Sequence, residues 1–395
     1  MKFNPDIITP EVQEFILRNE NASPSSIALK QSPFSGVSGS ELAQQIESRR
    51  KAKKKLPTWF QAKGIYYPKA LSIEQSSSEI TANFKQQLIK TGTSLIDLTG
   101  GFGVDTHYMS LSAKQVLHCE LDPLLSEIAK HNARILKRPN IDFNQGNGID
   151  IVLSRPKGSF DTIYVDPARR VNTKKVFLLQ DCEPNILDHH SSLLERAKQV
   201  IVKSSPLLDI SQTLTQLTSI QEIYILSIKN ECKELLIVLQ ETPVQRPRIT
   251  VKLLNRHEVS FSFYPDEEQR ARPIFGEPET YLYDPDAALL KAGCFKLISS
   301  YYQIKKLHTN THLYTSKELI DDFAGRVCRI KKVSDYKDFK KEKNHKPASI
   351  VSKNFPIKAE ALRKKHNIEE SSDHFLYFCK DVNEKLQVVS AERLT

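Results

Sequence analysis

Two short stretches carry residue types that could do chemistry. In "LIDLTGGFGVDT", Leu95 to Thr106, an apolar run ends in Asp97, and Thr99, Gly101 and Gly103 follow within a turn. Glycines there let a backbone curl closely around a ligand. The third glycine of a dinucleotide fingerprint is missing, because Thr106 stands in its place, and no Gly-Lys-Ser/Thr follows to hold a nucleotide phosphate. A carboxylate beside the turn repels a pyrophosphate and attracts a cation. The ligand expected here is positively charged near Asp97.

The second stretch, "YVDPARR", puts Asp166 and Pro167 after another apolar run and ahead of Ala168, Arg169 and Arg170. A carboxylate followed by proline there stands at the lip of a sheet, where ligands bind. Two further residues fall between the stretches. "HCELDP" leaves Glu120 at the end of a run about 20 residues after the turn, where a carboxylate can accept both hydroxyls of a ribose. "NQGNGID" leaves Asn147 at the tip of the next run.

These four tips need strands to bring them to one edge. From residue 93 onward "SLIDLT", "QVLHCEL", "IDFNQGN" and "FDTIYVDP" read as strands, alternating with helical stretches such as "DPLLSEIAKHNARIL". That alternation predicts a parallel, doubly wound α/β sheet, Rossmann-like, with its ligands at the strand carboxyl ends. "AKQVIVKSSP" adds a strand. "QEIYILSIK" and "CKELLIVLQ" lie so close together that they predict an antiparallel hairpin at one sheet edge. Residues 1–90 read as a helical region, with a Thr9–Pro10 helix start and a capping box of Ser76 and Glu79. Pro243 and Pro247 break the alternation, so the core is expected to span 91–243. Residues 244–325 read as a linker and a small segment, and 326–395 as a small α+β module.

Composition narrows the class. No apolar run in the 395 residues approaches the roughly 20 needed to cross a bilayer, and the opening residues hold no signal-peptide core. The six cysteines are scattered without a C-x-x-C pair, which suits reduced thiols in a cytoplasm and predicts neither disulfides nor a metal site. The net charge of +10 is uneven: residues 89–241 sum to −1, while 326–395 hold 17 Lys and Arg against 10 Asp and Glu. A neutral middle with basic ends suits a polyanionic partner such as RNA.

Asp97-x-x-x-Gly101-x-Gly103 resembles the first motif of class I S-adenosylmethionine-dependent methyltransferases, and Glu120, Asn147 and Asp166-Pro167 follow in matching order. The resemblance implies S-adenosylmethionine as cofactor, with Asp97, Thr99, Gly101 and Gly103 around its methionine part. It places Glu120 on the ribose and Asn147 on the adenine amino group. "VDPARR" is similar to the fourth motif of RNA methyltransferases. That implies an acceptor positioned by Asp166 and Pro167, with Arg169, Arg170 and Lys203 near RNA phosphates.

The D-P-A-R form resembles that of 5-methyluridine enzymes, which first add a cysteine thiolate to the pyrimidine ring. Here "VKSSP" has Ser204 where their cysteine stands, so direct transfer to a nitrogen or oxygen is expected. "YLYDPDAALLKAG", "HTNTHLYTS" and "FPIKAEALRKKH" resemble bacterial proteins with a ferredoxin-like segment and a THUMP-like domain after the methyltransferase. Their resemblance implies ribosomal or transfer RNA as partner. Two other readings stay open: a non-catalytic RNA-binding protein of the same fold, and a methyltransferase for protein or a small molecule.

Overall fold

The first helix begins where proline can start one. Thr9 caps α1 (Pro10–Arg18), and proline again opens α2 (Pro24–Ala28) and α4 (Pro57–Gln61), where the missing N–H has no partner to lose. Between them α3 (Gly39–Lys55) starts from a capping box of Ser38 and Glu41. The box expected at Ser76 and Glu79 is not formed. Ser76 instead closes α5 (Ala70–Gln75), and Ser78 caps α6 (Glu79–Gln87) through the Thr81 N–H. Three consecutive serines hid that register. Glu79 turns instead to Thr58 and the Tyr108 hydroxyl.

The computed structural model describes residues 2–169, 178–242, 244–254, 259–342 and 344–394, Arg169 by its backbone only. It divides into one unit of residues 1–221 with 236–244 and another of 222–235 with 245–395. In the first, Leu42, Ile46, Leu56, Trp59 and Tyr66 of the helical region pack with Phe102, Val104 and Ile128. The basic run "RRKAKKK" on α3 is largely engaged within this unit. Arg49 donates to the Phe60 carbonyl and Arg50 to those of Glu20 and Ala22, while Lys51 and Lys53 pair with Glu74 and Glu20.

The core alternates as the pattern requires: β1 (Ser94–Asp97), α7 (Val104–Met109), β2 (Gln115–Glu120), α8 (Pro123–Ile135), β3 (Ile141–Gln145), α9 (Gly148–Leu153) and β4 (Phe160–Val165). A two-residue ribbon, β5 (Ala168–Arg169) with β6 (Cys182–Glu183), precedes α10 (Ile186–Leu194) and β7 (Ala197–Ser204). Strands lie in the order β7-β4-β1-β2-β3, all parallel. The Rossmann-like doubly wound sheet is therefore present. Its order reverses between β1 and β4, and there the carboxyl ends open a crevice for a ligand.

The hairpin is β8 (Ile220–Ile228) and β9 (Glu231–Gln240), joined at Lys229 and Asn230, whose φ of 53° and 63° make the two-residue turn that matches strand twist. It is not an edge. β10 (Arg248–Leu253) pairs parallel with β8, and β11 (Val259–Phe263) antiparallel with β10. Pro247 thus marks a loop, and the β-branched pattern of "RITVKL" resumes the sheet after it. Pro243 lies outside the described residues.

A second sheet runs through β12 (Tyr281–Pro285), β13 (Lys305–Lys306), β14 (Tyr314–Ser316), β15 (Gly325–Asp335), β16 (Ser349–Lys353), β17 (His374–Lys380) and β18 (Leu386–Arg393). Its order is β13-β14-β12-β15-β18-β17-β16. β12 pairs antiparallel with β15 from Tyr281↔Arg329 to Pro285↔Gly325. Residues on either side of 325 therefore share one hydrogen-bonded sheet, and a cut there would strip β12 of a neighbour. Among the described residues no helix is long and apolar enough to cross a membrane.

Candidate active site

Asp97 ends β1 fully inside the protein. Its Oδ1 accepts the Thr99 N–H at 3.0 Å and its Oδ2 the Thr106 hydroxyl at 2.5 Å. Burial pushes its pKa up to about 7 against those two bonds, with the charges of Asp105 and Asp166 adding to the rise. A desolvated carboxyl of this kind gains by meeting a cation. Thr99 also acts through its side chain. The hydroxyl accepts the Asp166 N–H at 2.7 Å, which ties the glycine turn to the Asp-Pro tip.

The turn itself is fixed by the next strand. Gly101 donates its N–H to Glu120 Oε2 at 2.8 Å, and Glu120 Oε1 accepts the Asp122 N–H at 2.8 Å. Gly101 and Gly103 have φ of 56° and 83°, a region that suits glycine. Gly100 is required for another reason. A Cβ there would lie 2.2 Å from Nε2 of His118, a fully buried ring that burial holds near a pKa of about 4 and therefore neutral at pH 7. Neither Gly100 nor His118 stands out in the sequence, because only the fold brings the ring under the turn.

Asn147 is exposed and caps α9, its Oδ1 accepting the Ile149 N–H at 2.9 Å. Its amide NH2 is then the group it can offer. The next residue, Gly148, packs so tightly on the end of β1 that a Cβ would meet the Leu98 carbonyl oxygen at 2.2 Å. Leu121, 65% exposed beside Glu120, adds an apolar surface that no motif marks. Its only signal in the sequence is an apolar residue directly after an acidic strand tip.

On the other side of the switch point, Val165 of β4 pairs with Val202 of β7, so Asp166 and Lys203 emerge next to each other. Lys203 donates to Asp166 Oδ2 at 2.5 Å and stands 4.0 Å from Asp105 Oδ2. The register that sets it there draws its ammonium to these two carboxylates. Pro167 is half-buried, and the Arg169 backbone lies opposite Cys182 in the β5–β6 ribbon. Arg170 lies outside the described residues. Ser204 is half-buried at the end of β7.

The Glu120 geometry gives a test. Glu120→Ala removes the carboxylate proposed for a ribose and also frees the Gly101 N–H. We expect cofactor affinity to fall by about 10- to 100-fold, from roughly 1.5–3 kcal/mol of charged hydrogen bonding, in a folded protein. Calorimetry showing unchanged affinity would remove Glu120 from the site.

A parallel sheet of this order, with a glycine turn and an acidic second strand tip at its switch point, is the class I methyltransferase fold. The whole chain shares its architecture with a candidate methyltransferase from Porphyromonas gingivalis W83. The two are 29% identical, with a TM-score of 0.89 and full coverage of both chains. Residues 281–323 match a ferredoxin-like domain and residues 325–393 a THUMP domain-like family. The expected succession of methyltransferase fold, ferredoxin-like segment and THUMP-like domain is therefore found.

Partial matches include a candidate methyltransferase from Streptococcus mutans in complex with S-adenosylhomocysteine (14% identity, 42% of this chain, 97% of that one, TM-score 0.31). A candidate RNA methyltransferase from Pyrococcus horikoshii matches at 14% identity over 48% of this chain and 98% of its own, with a TM-score of 0.32. No functionally curated protein matches the chain.

Proposed function

We propose that this protein is a cytoplasmic S-adenosylmethionine-dependent RNA methyltransferase that transfers directly to a nitrogen or oxygen. The observation that carries the reading is one glycine turn holding two different carboxylates, Asp97 buried beneath it and Glu120 half-exposed at its rim. The donor set fits the cofactor. Asp97 faces a positive charge, Glu120 takes the ribose hydroxyls, Leu121 offers an apolar wall, and Asn147 donates its NH2 to an adenine ring nitrogen. That last role differs from accepting the amino group, because Oδ1 is already the helix cap.

When bound, S-adenosylmethionine supplies an electrophilic methyl on a sulfonium. The chain itself has to place the acceptor. Asp166 orients an N–H or O–H and accepts its hydrogen, held by Thr99 at its N–H and by Lys203 at its carboxylate. The +7 charge of residues 326–395 and the THUMP-like match support RNA as the acceptor molecule. Retention of Asp97, Glu120 and Asp166 together favours an enzyme over a non-catalytic relic of the fold.

Titration calorimetry with S-adenosylmethionine and with NAD tests the cofactor. We expect binding of the first alone, and a proton signature with it. Asp97 without ligand titrates near 7, above its ordinary carboxyl value, so its burial favours folding at low pH and opposes it as pH rises through about 7. A bound sulfonium and ammonium reverse that bias by favouring the ionised form. At pH 6 cofactor binding should release protons, and affinity should rise toward pH 7. Binding without proton release, flat across pH 5–8, would detach Asp97 from the cofactor.

The absent nucleophile is tested separately. RNA carrying 5-fluoropyrimidines traps enzymes that attack through a thiolate. We expect no covalent adduct on denaturing gels, and Ser204→Ala should keep most of its activity. A trapped adduct would overturn direct transfer and point to Cys182, which stands opposite Arg169 in the ribbon.

A further inference from the structure

Behind Asp166 and Lys203 lies a buried charge cluster that reaches back to the N-terminal helical region. Asp105, in the first turn of α7, is almost fully enclosed and receives three donors. Lys85 Nζ reaches its Oδ1 at 2.9 Å, while Ser77 Oγ and Tyr164 Oη reach its Oδ2 at 2.7 and 2.8 Å. Lys85 is wholly buried and also donates to Ser77 Oγ at 2.9 Å. Burial would raise the Asp105 carboxyl, but Lys85 and Lys203 outweigh it and hold it ionised, well below the usual range.

Lys203 stands between two carboxylates, 2.5 Å from Asp166 and 4.0 Å from Asp105. Its side chain is 13% exposed against 35% for Asp166, so the cluster runs from the closed interior to the lip of the site. Two ammonium groups and two carboxylates alternate along it. Because Lys85 already neutralises Asp105, Lys203 is left to bind Asp166.

We propose that Lys203 is a positioning residue that fixes the Asp166 carboxylate toward the acceptor, and that Lys85, from the N-terminal helical region, sets Lys203 through Asp105. This rests on the reading of Asp166 as the acceptor carboxylate. It gives the N-terminal region a part in transfer: α6 carries the buried cation without which Lys203 would be drawn inward. Sequence spacing hides the link, since Ser77 with Lys85, Asp105, Tyr164 with Asp166, and Lys203 come from four separate stretches.

The test is a double-mutant cycle on the full chain, read by transfer of labelled methyl to total bacterial RNA and by binding of S-adenosylmethionine. Lys203→Met should lower turnover by about 10- to 100-fold with cofactor affinity within about threefold, and Lys203→Arg should restore part of it. In an Asp166→Ala background, Lys203→Met should change turnover by less than about twofold, because the two act through one contact. Equal losses in both backgrounds would overturn the proposal.

A second readout does not need activity. The 13C signal of the Asp166 carboxyl should move in Lys203→Met and again in Lys85→Met, because Lys85 acts on Asp166 by way of Asp105 and Lys203. Should Lys85→Met fail to fold, Lys85→Gln, which removes the charge but keeps a polar group toward Asp105, serves instead. An Asp166 signal indifferent to both variants would sink the relay. Wild-type protein that binds cofactor but labels no RNA would count against the RNA reading, whereas the carboxyl signal would still decide the cluster.

Discussion

Asp166→Ala is expected to abolish most methyl transfer while leaving the cofactor in place. A positioned acid or base contributes about 10²–10⁴-fold, so turnover should fall by at least about 100-fold. Cofactor affinity should stay within about tenfold. The Asp166 N–H that binds Thr99 belongs to the backbone and survives the substitution, so the glycine turn keeps its tie to this tip. Only the carboxylate that pairs with Lys203, and with it the proposed contact to the acceptor, is lost. The pattern to look for is a fall in kcat with little change in KM for S-adenosylmethionine, which marks an interaction made at the reacting group. Parallel losses in affinity and turnover would mean that Asp166 serves the cofactor.

Gly148→Ala is expected to be nearly as damaging, for a purely steric reason. The added Cβ would lie 2.2 Å from the Leu98 carbonyl oxygen and 2.6 Å from its Cα. Both atoms are backbone at the end of β1, so no rotamer change can make room. Either β1 or the start of α9 must move. Overpacking of this kind costs about 1–3 kcal/mol, which would lower Tm by roughly 3–10 °C in a unit of this size. The shift also displaces Asn147 and the Asp97 turn, so cofactor affinity should fall with stability. Gly158→Ala is the control, since nothing lies within 4 Å of a Cβ there and its backbone strain is confined to a loop. Cofactor affinity left intact by Gly148→Ala, as it should be by Gly158→Ala, would contradict the close-approach account.

Much of this site was legible because its residues sit at strand ends, where a short apolar run stops at a polar residue. Asp97, Glu120 and Asp166 could be read that way, and the structure brings all three to one switch point. What spacing could not give was side-chain partnership across distant segments. The resemblance implies Lys203 near RNA phosphates, and only the β4–β7 register shows that it also stands beside Asp166. Net charge likewise counts the basic run on α3 toward a polyanionic partner, while most of its cations are engaged with Glu20, Glu74 and nearby carbonyls.

The hairpin illustrates the complementary limit. Its turn was readable from two apolar runs and a short gap, but its place in the sheet depends on β10, beyond a proline-rich loop. Prolines report the loss of an N–H at one residue, and they say nothing about which strand pairs next. The same holds at residue 325. The two small modules carry different family matches, and the hydrogen bonds between β12 and β15 nevertheless make them one sheet.

The central claim is most directly tested by incubating the full-length protein with methyl-labelled S-adenosylmethionine and total bacterial RNA, then digesting the RNA to nucleosides. The account predicts label in an N- or O-methylated nucleoside with the wild-type protein, and at least about 100-fold less with Asp166→Ala. Cofactor bound without label in RNA, or label appearing in protein or a small molecule instead, would contradict it.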